Sequence, residues 1–333
     1  MKILTKEKNK DFVVLNLSDP QLSVNEWQEG HLNRRRLEYT LAQLMERVKP
    51  DLITVSGDLS WSGMDLAYER MGELLNGVGV PWAIVWGNHD NQGGPEYIEG
   101  IVENYSKLSN FLYESGDKAM GNGNYVILIK EDGENGKPVT AFVMMDTHNK
   151  EPYIDENGEE KKTWARLLPP QVQWFKEQTD MLKEIGCGDA TLITHIPIYV
   201  YRNASAEAFK EGIDKKAITV EESYGDTCWN EGYTDSIGVE YEVVSNYPVD
   251  EGAFDVIKEG GIVRHVIAGH DHINNWIINY EGVKLVYALK IGPGCYWRPV
   301  LNGGTVMKIN ENGVYDIYHE YVDVSCLEEE TAE

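Results

Sequence analysis

Five apolar runs in this chain each lead into a residue that can bind a metal ion. No other feature of the sequence limits the possible folds as strongly. Each polar group follows its run directly or within two residues, at Asp19, Asp58, Asn88-His89-Asp90, His195 and His270-Asp271-His272. Because the carboxyl ends of parallel strands meet at one edge of a sheet, we expect these groups to converge. Taken singly, an aspartate there is often a turn residue and a histidine is often structural. Five in succession favour one shared site.

The segments between the first three runs predict a parallel sheet covered by helices. One amphipathic segment begins near Leu32 and ends at Pro50, and a second extends from Leu66 to Val78. The order strand, helix, strand, helix, strand corresponds to two βαβ units. A further helix is predicted at 171–185. Further strands are predicted at 125–129, 139–145, 276–280, 283–288, 305–309 and 314–321, the last four as closing antiparallel strands.

The length of 333 residues and the lack of a linker favour one domain over residues 1–333. Within it, residues 199–248 have little aliphatic periodicity and are predicted to form a long insert or lid. The aromatic side chains of this segment either cover the site or pack the segment onto the domain. Residues 327–333 form a short acidic tail.

The charge balance of the chain limits its partners. Asp and Glu number 55 against 30 Lys and Arg, for a net charge of −25. Such a surface repels the nucleic-acid backbone and anionic lipid, which argues against long nucleic acid and membranes as partners. The four cysteines form no CxxC pair, and the first residues lack the apolar core of a signal peptide. We therefore expect a soluble, cytoplasmic protein.

The polar groups, in this order, resemble the motifs of the calcineurin-like metallophosphoesterases. The matching stretches are Gly57-Asp58, Gly87-Asn88-His89-Asp90, His195 and Gly269-His270-Asp271-His272, within a resemblance that covers about residues 12–321. The segments at 18–22, 171–175 and after His272 are most similar to the purple-acid-phosphatase-like branch. The resemblance implies a mixed α/β fold, a four-layer αββα sandwich with a dinuclear metal centre at one edge.

The resemblance also implies a ligand set for two metal ions. Asp58 would bridge the two ions. One ion would be completed by Asp19, Gln21 and His272, and the other by Asn88, His195 and His270. Carboxylate, amide and imidazole donors suit Mn, Fe, Zn or Ni rather than Ca. Two such ions would clamp phosphate oxygens, and a bridging hydroxide would attack phosphorus.

His89 is assigned a separate role. Since adjacent side chains diverge, His89 cannot easily bind the metal that Asn88 binds, and it is free to protonate the leaving group as general acid. Asp90 is a candidate to orient His89 only because it is adjacent. Asp146 also follows a strand, but a turn role is the simpler interpretation.

Three positions depart from the family pattern. Gln21 stands where the family usually has histidine, and its amide oxygen is a weaker donor. Trp61 stands where purple acid phosphatases have a metal-binding tyrosine and phosphoprotein phosphatases have an aspartate. Trp86 stands where phosphoprotein phosphatases have an arginine. We therefore expect no purple colour and no Ser/Thr protein phosphatase.

The sequence thus predicts a metal-dependent phosphoric ester hydrolase. Its substrate would be a small phosphomonoester or a nucleotide-type phosphodiester. Two alternatives stay open. The chain could bind metal without catalysis, with Gln21 and Trp61 as signs of lost activity. It could also be a nuclease, although the sequence shows no basic groove.

Overall fold

The computed structural model describes residues 1–133 and 135–327. The predicted acidic tail therefore lies, beyond Leu327, outside the described residues. Fourteen strands are found in the described part: β1 Lys2–Lys6, β2 Phe12–Leu17, β3 Leu52–Val55, β4 Trp82–Ile84, β5 Tyr125–Glu131, β6 Pro138–Met144, β7 Lys150–Ile154, β8 Glu160–Trp164, β9 Ala190–Ile193, β10 Val263–Ala268, β11 Ile277–Tyr280, β12 Val283–Tyr287, β13 Gly303–Asn310 and β14 Gly313–Tyr321.

Six α-helices accompany these strands over the same described residues. They are α1 Leu32–Val48, α2 Asp65–Gly77, α3 Pro95–Tyr105, α4 Pro169–Glu184, α5 Val200–Ala208 and α6 Ala253–Gly260. The first begins where the His31 side chain accepts a hydrogen bond from the backbone of Asn33, which satisfies one of the free N–H groups of a helix start. It ends at Lys49, in the left-handed conformation that closes many helices.

Two large sheets and one hairpin contain all these strands. The five-stranded sheet has the order β14-β13-β2-β3-β4, and the seven-stranded sheet has the order β1-β5-β6-β9-β10-β12-β11. Strands β2, β3 and β4 run parallel, as the βαβ pattern predicted. Strands β6, β9 and β10 are also parallel neighbours. The carboxyl ends of these two parallel sets carry all the predicted site residues.

Three separate apolar cores show that the fold has four layers. One core lies between the two sheets and includes Val14, Phe142 and Ile267. A second packs α1, α2 and α3 on the five-stranded sheet. The third packs α4, α5 and α6 on the seven-stranded sheet. This is the αββα sandwich that was predicted, and its strands are buried on both faces as their continuous apolar sequences require.

Several elements differ from the sequence-based expectations. β12 pairs parallel with β10, so it is not purely a closing antiparallel strand as predicted; only its pairing with β11 is antiparallel. Strands β1, β7 and β8 and helices α3, α5 and α6 were not predicted. Most residues of the unpredicted strands are at least partly exposed, so they lack the apolar run that marks a buried strand.

The segment 199–248 contains regular structure, because α5 forms its first part. Its rings are placed differently: Trp229 and Tyr201 are buried, whereas Tyr224 is exposed. The assignment of residues 1–333 to one domain with an insert stays a prediction. In the described part of the chain, no helix combines the length and apolar character needed to cross a membrane.

Candidate metal centre

The predicted ligands come from both sheets and meet at one edge of the sandwich. Asp19, Asp58 and Asn88 follow strands of the five-stranded sheet. His195 and the pair His270 and His272 follow strands of the seven-stranded sheet. All six side chains are buried. One oxygen or nitrogen atom from each of Asp19, Asp58 and His272 lies within 4.8 Å of the other two. The convergence expected from the strand ends is therefore present.

The turns that present these ligands adopt an uncommon backbone conformation. The φ angle is 52° at Asp19, 53° at Asp58 and 75° at His270, and Gln21 has 42°. Residues other than glycine seldom adopt positive φ, which costs roughly 1–2 kcal/mol. Strained backbone of this kind is concentrated at functional sites. Each strand is turned sharply where its ligand must face the shared edge.

A glycine precedes three of the ligands because the chain segments nearly touch there. A Cβ atom on Gly87 would lie 2.1 Å from Asp58 Oδ1, and one on Gly269 would lie 2.2 Å from the Ser18 hydroxyl. Both distances are far below van der Waals contact. The Gly-Asn and Gly-His motifs therefore have a steric cause: any side chain before the ligand would push the loops apart.

We call Asp19, Gln21 and His272 the Asp19 half of the centre. His272 Nδ1 donates to the Tyr296 carbonyl at 2.9 Å, which leaves Nε2 facing Asp19 Oδ1 at 3.3 Å. The Gln21 amide nitrogen lies 3.5 Å from Asp58 Oδ2. Asp19 Oδ1 and Gln21 Oε1 are buried and, among the described residues, have no hydrogen-bond partner. Buried oxygens without a hydrogen-bond partner are what a cation would satisfy.

We call Asn88, His195 and His270 the Asn88 half. His195 Nδ1 donates to the Ser56 carbonyl at 2.7 Å. Its Nε2 lies 2.9 Å from Asn88 Oδ1 and 3.3 Å from Asp58 Oδ2. The His270 ring lies edge-on to the His195 ring, with centroids 5.2 Å apart. Asp58 thus stands between the two halves, close to Gln21 on one side and His195 on the other.

The ionisation of these groups follows from crowded charge in a buried space. Burial opposes the charge on Asp19, yet His272, His195 and Lys290 lower its pKa. Burial alone would lower the pKa of His195, but the carboxylates of Asp58 and Asp19 raise it to about 10. Burial and the charge on His195 lower the pKa of His270 to about 3. The carboxylates therefore attract positive charge, and the neutral His270 imidazole is in its metal-binding form.

The donor set fits the metal ions that the fold family implies. Buried carboxylate, amide and imidazole groups converge, and two histidines have Nδ1 bound to backbone carbonyls so that Nε2 faces inward. This second layer of hydrogen bonds is typical of metal-binding histidines. The orphaned oxygens of Asp19 and Gln21 add acceptors that the protein itself does not use. Because these donors are mixed O and N ligands, they suit borderline transition metals.

His89 lies next to these ligands but is held by different contacts. Its backbone N–H donates to Asp58 Oδ1 at 2.9 Å, and its ring meets the Trp61 ring edge-on with centroids 5.8 Å apart. The side-chain amide nitrogen of Gln92 lies 2.8 Å from His89 Nδ1. An amide N–H2 group only donates, so Nδ1 accepts and the ring proton is placed on Nε2.

Gln92, and not Asp90, is therefore the orienting partner of His89. The Asp90 carboxylate turns inward and accepts from the backbone N–H groups of Asp58 and Gly87, each at 2.8 Å. Tyr68 adds its hydroxyl at 2.8 Å. Burial raises the pKa of Asp90 to about 7, and the nearby Asp58 carboxylate adds to this effect. Asp90 thus fixes the two ligand turns to each other.

Asp146 has a positioning role rather than a place among the ligands. Its carboxylate accepts from the Asn91 side chain at 2.9 Å, from the His148 N–H at 2.9 Å and from the Asn122 N–H at 2.8 Å. These contacts are those of a turn residue that supports a loop, as the sequence suggested. Through Asn91, the carboxylate braces the segment that carries His89.

Two further residues of the site were missed in the sequence analysis. Lys290, three residues after the end of β12, is buried, and its ammonium group donates to the Asp19 carbonyl. Burial lowers the pKa of Lys290 to about 8 despite the carboxylates nearby. Trp164, at the end of β8, lies edge-on to His270 with ring centroids 4.6 Å apart. Trp164 lies in a strand that was not predicted. Lys290 does follow the predicted strand 283–288, but a lysine is not among the residue types that were sought as metal ligands.

A separate cavity of about 620 Å³ lies between α2 and α3. Its walls include Glu69, Glu73 and Glu96, and Tyr68 and Tyr105 also line it. None of the predicted ligands lines it. The candidate metal centre therefore rests on its converging ligands and not on this cavity.

The comparison with protein families agrees with this geometry. Residues 12–274 match the family described as calcineurin-like phosphoesterase. The chain belongs to the calcineurin-like phosphoesterase family. This confirms the resemblance inferred from the strand-end motifs.

Similar curated proteins include phosphatases and proteins named as inactive. The chain is 23% identical over 338 residues to phosphatase DCR2 of Saccharomyces cerevisiae, a match that covers 91% of this chain and 53% of that protein. It is 26% identical over 263 residues to probable inactive purple acid phosphatase 14 of Arabidopsis thaliana, covering 72% of this chain and 58% of that protein. The chain thus spans little more than half the length of these relatives.

Solved structures of metal-dependent phosphatases have the same fold. A dimetal phosphatase from Danio rerio superposes with a TM-score of 0.55 and 13% identity, covering 92% of this chain and 98% of that one. The purple acid phosphatase PPD1 of yellow lupin (Lupinus luteus) gives a TM-score of 0.51 at 13% identity, covering 95% and 55%. These similarities confirm the predicted sandwich.

Proposed function

We propose that this protein hydrolyses phosphoric esters at a dinuclear metal centre, with a small phosphorylated molecule as substrate. The single observation that carries the proposal is the convergence of six buried ligands from two sheets, where Asp19 Oδ1 and Gln21 Oε1 are buried without a hydrogen-bond partner among the described residues. A purely structural polar cluster would satisfy its own atoms. Here two buried acceptors are left for a cation.

The ligands in this proposal are those predicted from the sequence. Asp19, Gln21 and His272 hold one ion, Asn88, His195 and His270 hold the other, and Asp58 is shared. Mn, Fe, Zn or Ni ions bound there would act as Lewis acids on the phosphate oxygens and would make water a stronger nucleophile.

His89 serves as the general acid of the proposed reaction. As water forms its bond to phosphorus, the bond from phosphorus to the leaving oxygen breaks, and that oxygen needs a proton to depart as an alcohol. His89 would give this proton from Nε2 in its imidazolium form and would be left as the neutral ring. Gln92 contacts Nδ1, so Nε2 is the nitrogen open to the leaving group. Trp61 restricts the rotation of the ring by its edge contact. A positioned general acid of this kind contributes roughly 10²–10⁴-fold to rate.

A catalytically silent metal-binding protein is the second candidate. It is favoured by Gln21 in place of the family's usual histidine and by relatives whose names describe them as probably inactive purple acid phosphatases. Both candidate functions use the same metal ligands. They differ in whether His89 takes part in catalysis.

The test combines turnover with metal analysis. The protein is loaded with Mn or Zn, its metal content is measured by plasma mass spectrometry, and hydrolysis of p-nitrophenyl phosphate and bis-p-nitrophenyl phosphate is followed. We expect close to two metal ions per chain and turnover that falls at least 100-fold in the His89→Ala variant, with the metal content unchanged. Full metal content with no turnover in the wild-type protein would favour the silent binder.

The proposed setting is the cytoplasm, with no nucleic acid or membrane as partner. Four free cysteines, of which Cys295 and Cys326 are exposed, support a reducing compartment. The net charge of −25 supports the exclusion of polyanionic partners.

A further inference from the structure

The hairpin formed by β7 and β8 stands beside the metal centre and belongs to neither large sheet. Trp164 ends its second strand, and the Trp164 ring meets the ring of His270 at a centroid distance of 4.6 Å and an interplanar angle of 83°. Because His270 is a proposed metal ligand, the side of the hairpin that carries Trp164 forms a wall of the site.

The register of the hairpin places two lysines on that same side. Lys150 pairs with Trp164, and Lys162 lies two residues earlier, opposite Pro152. Paired residues of an antiparallel ladder share a face, and so do residues two apart along one strand. Lys150, Lys162 and Trp164 therefore share a face, which we call the Trp164 face, and Glu160 at the start of β8 lies on it too. The Lys150 ammonium lies 4.4 Å from the centroid of the Trp164 ring, a cation–π distance.

The opposite side of the hairpin fixes it to the body of the protein. Glu151 forms an ion pair with Arg166 at 3.0 Å, and the Arg166 guanidinium lies 4.1 Å from the centroid of the Tyr247 ring. Tyr153 contacts the same tyrosine edge-on, with ring centroids 6.1 Å apart. The Trp164 face is thus held toward the metal centre by a second set of contacts behind it.

The lysines on the two sides of the hairpin differ in whether they form ion pairs. Lys161, on the anchored side, pairs with Glu159 at 2.5 Å and with Asp155 at 3.8 Å. Lys150 and Lys162 are exposed, and within residues 1–133 and 135–327 neither forms an ion pair. In a chain with a net charge of −25, these two lysines oppose the single carboxylate of Glu160 on the Trp164 face, which leaves a local excess of positive charge.

We propose that the Trp164 face binds a second phosphate group of the substrate, so that the preferred substrate is a small molecule with two phosphate groups. This inference rests on the proposed phosphoester hydrolysis, since the first phosphate is the one held at the metal centre. The acidic surface repels a second phosphate everywhere except where positive charge is available. Lys150 and Lys162 supply it beside His270, and Trp164 keeps the Lys150 ammonium in place.

The experiment compares two substrates that differ by one phosphate group. Adenosine 3′,5′-bisphosphate and adenosine 5′-monophosphate are assayed with the metal-loaded wild-type protein, with the double variant Lys150→Met/Lys162→Met and with Lys161→Met as the matched control. For the wild type we expect kcat/KM to be at least tenfold higher for the bisphosphate. The double variant should lose this preference through KM, whereas Lys161→Met should retain it. Turnover of p-nitrophenyl phosphate should be the same in the wild type and in Lys161→Met.

Equal kcat/KM values for the two adenosine substrates in the wild type would overturn the inference, as would a preference that survives in the double variant. If the wild type hydrolyses none of the three compounds, the proposed function fails, and calorimetric binding then decides about the Trp164 face. Tighter binding of the bisphosphate to the wild type than to the double variant would support it. Equal binding would overturn it.

Discussion

The two halves of the metal centre use the same kinds of residue but are completed differently. In each half a histidine donates Nδ1–H to a backbone carbonyl, His195 to Ser56 and His272 to Tyr296. In the Asn88 half, the inward Nε2 of His195 is already hydrogen-bonded to Asn88. In the Asp19 half, Asp19 Oδ1 and Gln21 Oε1 have no hydrogen-bond partner in the described structure.

A half with unpaired acceptor oxygens gains free energy when a cation binds, but its affinity for that cation also depends on how strong its ligands are. A buried acceptor without a partner costs roughly 1–3 kcal/mol, so the Asp19 half gains from any cation that enters. Each half contains one amide, from Gln21 or Asn88, but the Asp19 half has one imidazole where the Asn88 half has two, and imidazole is a good ligand for Zn, Fe and Ni. The ammonium of Lys290 also lies against Asp19. We therefore expect the Asn88 half to bind its ion more tightly.

Removal of the shared ligand Asp58 should weaken metal binding in both halves at once. The Asp58→Asn variant removes the charge that both ions require, and we expect metal content to fall below one tenth of the wild-type value. Turnover should fall on the order of 10³-fold or more, because the metal ions supply several kcal/mol of transition-state stabilisation. Plasma mass spectrometry and p-nitrophenyl phosphate hydrolysis measure the two effects. Asp146→Asn is the control and should keep its metal, whereas unchanged metal in Asp58→Asn would refute the site.

Replacement of the weak donor should make the two halves more alike. Gln21→His introduces an imidazole, and we expect about tenfold tighter binding of the weaker ion, equivalent to about 1.4 kcal/mol. Competition between the protein and a chelator of known affinity measures both binding constants. Gln173→His, on the exposed face of α4, is the matched control. A second binding constant that does not change in Gln21→His would show that position 21 is not a ligand.

The last prediction separates the acid unfolding of the protein from the acid release of metal. His319 donates to the Asn275 carbonyl at 2.7 Å, and burial lowers its pKa from 6.5 to about 4. Because the folded state holds the neutral ring, the unfolded state binds the proton first as pH falls below 6.5. Stability is therefore lost toward pH 4, by about 2 kcal/mol between pH 7 and pH 5.

Urea denaturation of metal-free protein at several pH values measures this dependence, and His319→Gln should flatten it over the same range. The same variant should leave the pH profile of metal release unchanged, since His319 is not a ligand. A pH dependence of stability that is equally steep in His319→Gln would assign the effect to other groups.

The fold was predictable from sequence where strands are buried on both faces. The runs at β2, β3 and β10 are mostly apolar, and each leads into a ligand. The hydrophobic pattern and the position of the ligand therefore indicated the same strand. β7 and β8 gave no such signal, because most of their side chains are exposed and carry charge. Strands that no core requires cannot be recognised from hydrophobic periodicity.

The metal ligands of the site were predictable from sequence, but the residues that position them were not. Strand-end position and motif order indicated Asp19, Asp58 and the histidines. Gln92 was missed because its role depends on the direction of a turn after Asn88, which spacing does not reveal. Lys290 was missed for the opposite reason: a lysine is expected at the surface, and only the packing of two sheets shows that it is buried.

The division of the ligands between two sheets has a consequence for folding. His270 and Asp19, whose atoms are hydrogen-bonded, lie 251 positions apart in the chain. Contacts between such distant segments form late, because closing a long loop costs entropy before it gains energy. Neither half of the centre can assemble on a partly folded chain, since each draws residues from both sheets. Metal occupancy therefore reports completed folding, and a bound ion joins the two sheets as a cross-link would, at a strength set by the free metal concentration.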